Sequence, residues 1–150
     1  MVQTAEGFLN EVHNMLGRMR ELAVQSASDT VDATNRASLQ GEFDSLRSEI
    51  DRISTSAEYN NNSLLDGTFT GKQFQVGANG AVDNTITFSI AGISSTLMSI
   101  DTTDISTLAG GVTAMSDLTA AIDYVSTVRS GLGTIQNRLA YTVASVDNSA

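Results

Sequence analysis

The last third of the chain carries the tightest constraint on its fold. Met115, Leu118, Ile122, Val125, Leu132, Ile135, Leu139, Val143 and Val146 recur at an average spacing near 3.5 residues. Val128 and Arg129 bracket the single missing step. Such a seam is the signature of a coiled coil or helical bundle. At about 1.5 Å per residue, it predicts a helix roughly 50 Å long. A long helix is not stable alone in water, because most helical stability comes from packing an apolar face. The seam therefore requires another long helix of the same chain as its partner.

Two further segments can supply it. Leu9, Val12, Leu16, Met19 and Ala23 step by three and four residues, with Phe8 and Met15 flanking. That spacing places one apolar stripe on a helix of roughly 39 Å. Ser26-Ala27-Ser28-Asp29-Thr30 ends it with residues that favour caps and turns. Leu39, Phe43, Leu46, Ile50 and Ile53 form a third stripe, with Asp32 or Thr34 as N-cap. The expected fold is mainly α: an elongated antiparallel helical bundle of three long, coiled-coil-like helices with a small β-hairpin region. The first and last helices should pair antiparallel and bring the termini to one end. One domain spans 1–150, with helices over 1–28, 32–56 and 113–147 and loops plus the hairpin over 59–112.

Inside 59–112 the periodicity changes. Asn60-Asn61-Asn62, Asp66-Gly67, Asn79-Gly80 and Gly110-Gly111 punctuate turns. Phe74 and Val76 alternate in one run, and Ile86, Phe88 and Ile90 in another. This reads as short strands half buried against the helices. Gly17, Gly41, Gly131 and Gly133 interrupt helical patterns, each costing about 1 kcal/mol relative to Ala. They are either tolerated in long helices or mark the close approach of a neighbouring helix or subunit.

Composition removes most chemistry. Of 150 residues, 8 are Lys or Arg and 17 are Asp or Glu, a net charge of −9. That excess disfavours nucleic acid and anionic membrane surfaces as partners. With no cysteine and one histidine, disulfides, thiolate nucleophiles and Cys- or multi-His metal sites are excluded. His13 lies within the first helical pattern, no G-x-S-x-G elbow exists, and a surface or packed histidine is the simpler reading. Glu42, Asp44, Glu49 and Asp51 most simply form the solvated face of the second helix. No P-loop or calcium-loop spacing is present, so neither an enzyme nor a bound cofactor or metal is expected. There is no run of 18 apolar residues to cross a membrane, and residues 1–10 do not resemble a secretory leader.

One surface feature goes beyond core. With about 100° per residue and Arg18 set at zero, Gln25 falls near −20° and Leu22 near 40°, while the seam lies at roughly 100° to 160°. Leu22 is thus expected to project partly away from the seam. A single exposed leucine needs no explanation. Flanked by Arg and Gln, it also reads as a small binding patch, an apolar anchor with a polar rim.

The runs Asn10-Glu11-Val12-His13-Asn14-Met15-Leu16 and Arg18-Met19-Arg20-Glu21-Leu22-Ala23-Val24-Gln25-Ser26-Ala27 closely resemble the N-terminal region of bacterial flagellins. Leu39-Gln40-Gly41-Glu42-Phe43, Glu49-Ile50-Asp51-Arg52-Ile53, Tyr59-Asn60, Leu64-Leu65-Asp66-Gly67 and Gln75-Val76-Gly77-Ala78-Asn79 are similar to the same family. Val128-Arg129, Leu132-Gly133 and Gln136-Asn137-Arg138-Leu139 resemble its C-terminal region. The resemblance implies the family's D1 core, a rod of helices from both chain ends with a β-hairpin. It implies a structural, motility-serving subunit of the extracellular flagellar filament, sent out through the flagellum's own export apparatus without a cleavable leader. The partners implied are other flagellin subunits, an export chaperone and the flagellin-sensing Toll-like receptor of animals, through which the family is read by innate immunity. The matching receptor-binding positions are Arg18, Leu22, Gln25, Glu42 and Arg138. Gly17 stands where the family often has Gln, which is expected to weaken that contact. The flanking D0 helices and outer domains of larger relatives are not represented, so the chain is expected to be a trimmed core that polymerises poorly alone. The alternative is a hook–filament junction protein of the same superfamily. A carbohydrate-binding rod is disfavoured because no aromatics line up for sugar stacking.

Overall fold

The stripe of the first segment forms the α-helix α1 (Val2–Ser26), and the second forms α2 (Ala33–Ser56). The computed structural model describes residues 1–76 and 84–147. Asp32 is the N-cap of α2: its carboxylate accepts from the Asn35 N–H at 2.7 Å, satisfying one of the free donors of the first turn. The turn from α1 to α2 is tied by Arg36, which donates to the carbonyls of Ser26 and Ser28, each at 2.9 Å. A guanidinium from α2 thus satisfies the last carbonyl of α1 and adds a bond to one in the turn that follows.

The third helix, α3 (Leu108–Asp147), begins well before residue 113. Gly110-Gly111 is therefore helix rather than turn, and the reason is space. A Cβ on Gly111 would sit 3.0 Å from both the Ala23 carbonyl oxygen and the Ala27 nitrogen. The start of α3 lies directly against the end of α1, where a Cβ would crowd backbone. Further along, Gln136 donates to Glu6 at 3.2 Å. These two anchors, at opposite ends of α1, fix an antiparallel α1–α3 pair with both chain ends at one pole. Gly17, Gly41, Gly131 and Gly133 face open space within the chain, so no neighbouring helix approaches them. The close approach of another helix falls at Gly111 instead, while Gly110 and Gly92 lie against loop residues.

The seam residues Leu9, Val12, Leu16, Met19, Leu118, Val125 and Leu132 are buried in one core with Phe43, Ile50 and Ile53 of α2. Beyond Leu132 the seam thins. Ile135 and Leu139 are half-buried and Val143 is exposed, because α3 has 40 residues and α1 only 25. The side chain of Val146 lies outside the described residues.

Between the helices, β1 (Glu58–Tyr59) pairs antiparallel with β2 (Asn62–Ser63). Asn60 and Asn61 link them with φ of 51° and 61°. Two consecutive left-handed residues make the tight hairpin turn that matches strand twist, and Asn tolerates that region. β3 (Lys72–Gln75) pairs antiparallel with β4 (Thr85–Phe88), in register from Lys72 opposite Phe88 to Gln75 opposite Thr85. The Asn79-Gly80 turn lies outside the described residues. Ile86 and Phe88 face inward, and Phe88 stacks on Phe74 with ring centres 4.7 Å apart. Residues 89–107 then return along the helices without regular structure, burying Ile90, Ile93, Met98, Ile100 and Ile105.

Candidate partner-binding surface

Arg18 sits on the outer face of α1, turned toward α2. Its Nε donates to Glu42 Oε1 at 2.8 Å, and its Nη1 to Glu21 Oε2 at 3.0 Å. The Glu42 and Glu21 carboxylates raise the Arg18 pKa above its ordinary value, Glu42 contributing most. All three side chains are exposed: 49% for Arg18, 44% for Glu42 and 71% for Glu21. In such surroundings the ion pairs add little to stability. They place a planar donor group between two carboxylates on the surface.

The helix geometry that places Arg18 there also places Gln25, two turns on, and Gln25 is exposed. Leu22, between them, is not: it is fully buried. The angular expectation of an off-seam leucine is thus corrected. It assumed that α1 has a single packing partner. In the structure α1 packs against both α3 and α2, and its C-terminal end is also covered by the segment leading into α3. Ser26, one turn beyond Leu22, is buried too and its hydroxyl donates to the Ile105 carbonyl. The buried arc of α1 therefore widens at this end to include Leu22 and Ser26.

Arg138 is exposed on α3 beside the pole where Glu6 meets Gln136. Along the rod it stands about 20 Å from Arg18. The structure therefore gathers Arg18, Gln25 and Glu42 on one face, keeps Leu22 beneath them and leaves Arg138 apart. Glu21 completes the cluster. It was legible as the i+3 partner of Arg18 on a helix, but sequence reasoning had assigned it no role. His13 is half-buried, and its Nδ1 has no hydrogen-bond partner among the described residues. Among the described residues no group of three or more His, Asp or Glu could hold a metal ion. No described helix is long and apolar enough to cross a membrane.

The fold and this surface define a class: a helical rod whose chain ends pair lengthwise and whose outer face carries ion-paired charges. Residues 1–70 match the family described as the bacterial flagellin N-terminal helical region. The chain is 40% identical over 153 aligned residues to a flagellin of Halalkalibacterium halodurans, covering 100% of this chain and 55% of that protein. It is 33% identical to a flagellin of Bacillus subtilis, covering 99% of this chain and 60% of that one. The crystal structure of Bacillus cereus flagellin superposes with a TM-score of 0.83 at 29% identity, over 96% of this chain and 82% of that chain. This chain belongs to the flagellin family. It spans little more than half the length of these curated relatives.

Proposed function

We propose that this chain is the rod-forming part of a structural subunit of the bacterial flagellar filament, serving motility outside the cell. The observation that carries this reading is the antiparallel α1–α3 pair, fixed by Gly111 at one end and Gln136–Glu6 at the other. It joins the two ends of the chain into one stiff strut, whose outer faces remain free for other copies of the subunit. Family membership adds export by the flagellar apparatus and an export chaperone to the reading.

An antiserum against this chain tests it by immuno-electron microscopy of the source bacterium. Labelling along the whole filament is the expected result. Labelling confined to a band next to the hook would favour the hook–filament junction alternative, and unlabelled filaments would reject both.

A second reading is favoured by the exposed Arg18–Glu42–Gln25 face. We propose that it contacts the flagellin-sensing Toll-like receptor, with Arg138 in a separate contact and Leu22 supporting the face from beneath. In a receptor reporter assay, Arg18→Ala and Glu42→Ala should lower activation while thermal stability is kept. Unchanged activation by both variants rejects this reading.

A further inference from the structure

The segment from Met98 to Thr107 has neither helix nor strand, yet it is tightly held. Three of its backbone groups find partners on the side chains of a single stretch of α2, while others bond within the loop and the Thr103 hydroxyl donates to Asp117 of α3 at 3.4 Å. Arg47 Nη1 donates to the carbonyls of Asp101 at 2.9 Å and Thr103 at 3.4 Å. The Ile105 N–H donates to Gln40 Oε1 at 2.7 Å. Asp44 joins the two holders, accepting from Gln40 at 3.0 Å and from Arg47 at 2.7 Å. Gln40, Asp44 and Arg47 are spaced by four and three residues, so they share one face of α2.

The segment is anchored at both ends by other means. Before it, Asp51 accepts from the Ser95 N–H at 2.7 Å and the Ser95 hydroxyl at 2.8 Å. After it, Gly110 packs against the Asp104 carbonyl so closely that no Cβ would fit. Within it, Ser99 takes a left-handed conformation with φ of 58°, which is unfavourable for a non-glycine residue. Under it, the Ser26 hydroxyl meets the Ile105 carbonyl, and Leu22 shares a core with Met98, Ile100 and Ile105.

We propose that residues 98–107 are a strap latched to α2 by Gln40, Asp44 and Arg47, whose release uncovers the Leu22–Ser26 edge of α1 while the α1–α3 pair stays closed. A backbone held by side chains, between two fixed ends, can open as a local bulge without unfolding the helices beside it. Release presents Leu22, Ile100 and Ile105 as an apolar edge beside Arg18 and Gln25.

The chain has no cysteine, so a single introduced thiol reports access. Ser26→Cys sits under the strap, and Val12→Cys sits in the α1–α3 seam. Both are to be labelled with dithiobis(nitrobenzoate), with and without Arg47→Ala. Arg47→Ala should speed labelling of Ser26→Cys by about tenfold or more, because the latch loses charged hydrogen bonds, and leave Val12→Cys unchanged. No acceleration at Ser26→Cys, or equal acceleration at both sites, overturns the proposal. Amide exchange in the cysteine-free Arg47→Ala chain provides a second readout that leaves the Ser26 hydroxyl in place. The Ile105 N–H should exchange faster and the Val125 N–H at its original rate, and a rise at both is contrary to the proposal.

Discussion

Arg18 and Leu22 stand one helical turn apart, and opposite kinds of energy act on them. Arg18 is held by two exposed carboxylates, where solvent screening leaves little net stabilisation. Leu22 is sealed in the core, so Leu22→Ala should cost about 2–5 kcal/mol, whereas Arg18→Ala should leave the urea midpoint unmoved. Comparable midpoint losses in the two variants would contradict this division. Leu22→Ala is consequently a poor probe of partner contact, since its effects mix folding with binding. The exposure of Arg18 and Gln25 was legible because a helix angle depends only on sequence separation, and that of Glu42 because the apolar stripe of α2 leaves it on the solvated face. The burial of Leu22 was not, because it depends on a third element that reaches α1 from eighty residues away. Carboxylates in the loops carry a pH signature. Asp66 is lowered by the Thr68 N–H and hydroxyl, at 2.9 and 2.7 Å, and Asp104 by the Ser106 N–H at 2.7 Å. Both groups are depressed in the folded state, so their contribution is present above the ordinary carboxylate value of about 3.9 and lost as pH falls below it. Urea midpoints should therefore be level from neutral pH to about pH 5 and fall below about pH 4. Asp66→Asn and Asp104→Asn together should flatten that fall.

At the scale of the elements, caps and glycines decide where helices begin. Asp32→Ala should cost about 1 kcal/mol, read by the loss of helical circular dichroism on heating, because the Asn35 N–H loses its acceptor. Glycines of the same helix then behave oppositely. Gly131 faces open space, so Gly131→Ala should raise stability by about 1 kcal/mol. Gly110 faces the Asp104 carbonyl and Gly111 the backbone of α1, so alanine at either should lower the melting temperature. A fall with Gly131→Ala would mean that something other than helix propensity governs that position. The three helices and both strand runs were legible because period 3.5 and period 2 are local properties of the chain. The start of α3 was not. Gly110-Gly111 has the composition of a turn, and only the proximity of Ala23 and Ala27 explains why a helix needs glycine there.

At the scale of the whole molecule, the rod is unevenly held along its length. Near its middle, α3 is buried through Ala114, Leu118, Ala121 and Val125 against α1. At about 1.5 Å per residue, α3 runs for about 60 Å and α1 for about 38 Å, so the far end of α3 outruns its partner. The exposure follows: Leu132 is 2% accessible, Val143 60% and Tyr141 79%. A helix end without an apolar face against it keeps its backbone bonds but loses the packing that stabilises them. Opening of that end should therefore need far less free energy than opening of the middle. Amide exchange measured residue by residue should show protection falling by about tenfold or more between Leu118–Leu132 and Leu139–Ala144. Equal protection along all of α3 would mean that the helix is stabilised by its own propensity rather than by the α1 seam. That result would also remove the physical basis for a strut made by pairing the two ends of the chain.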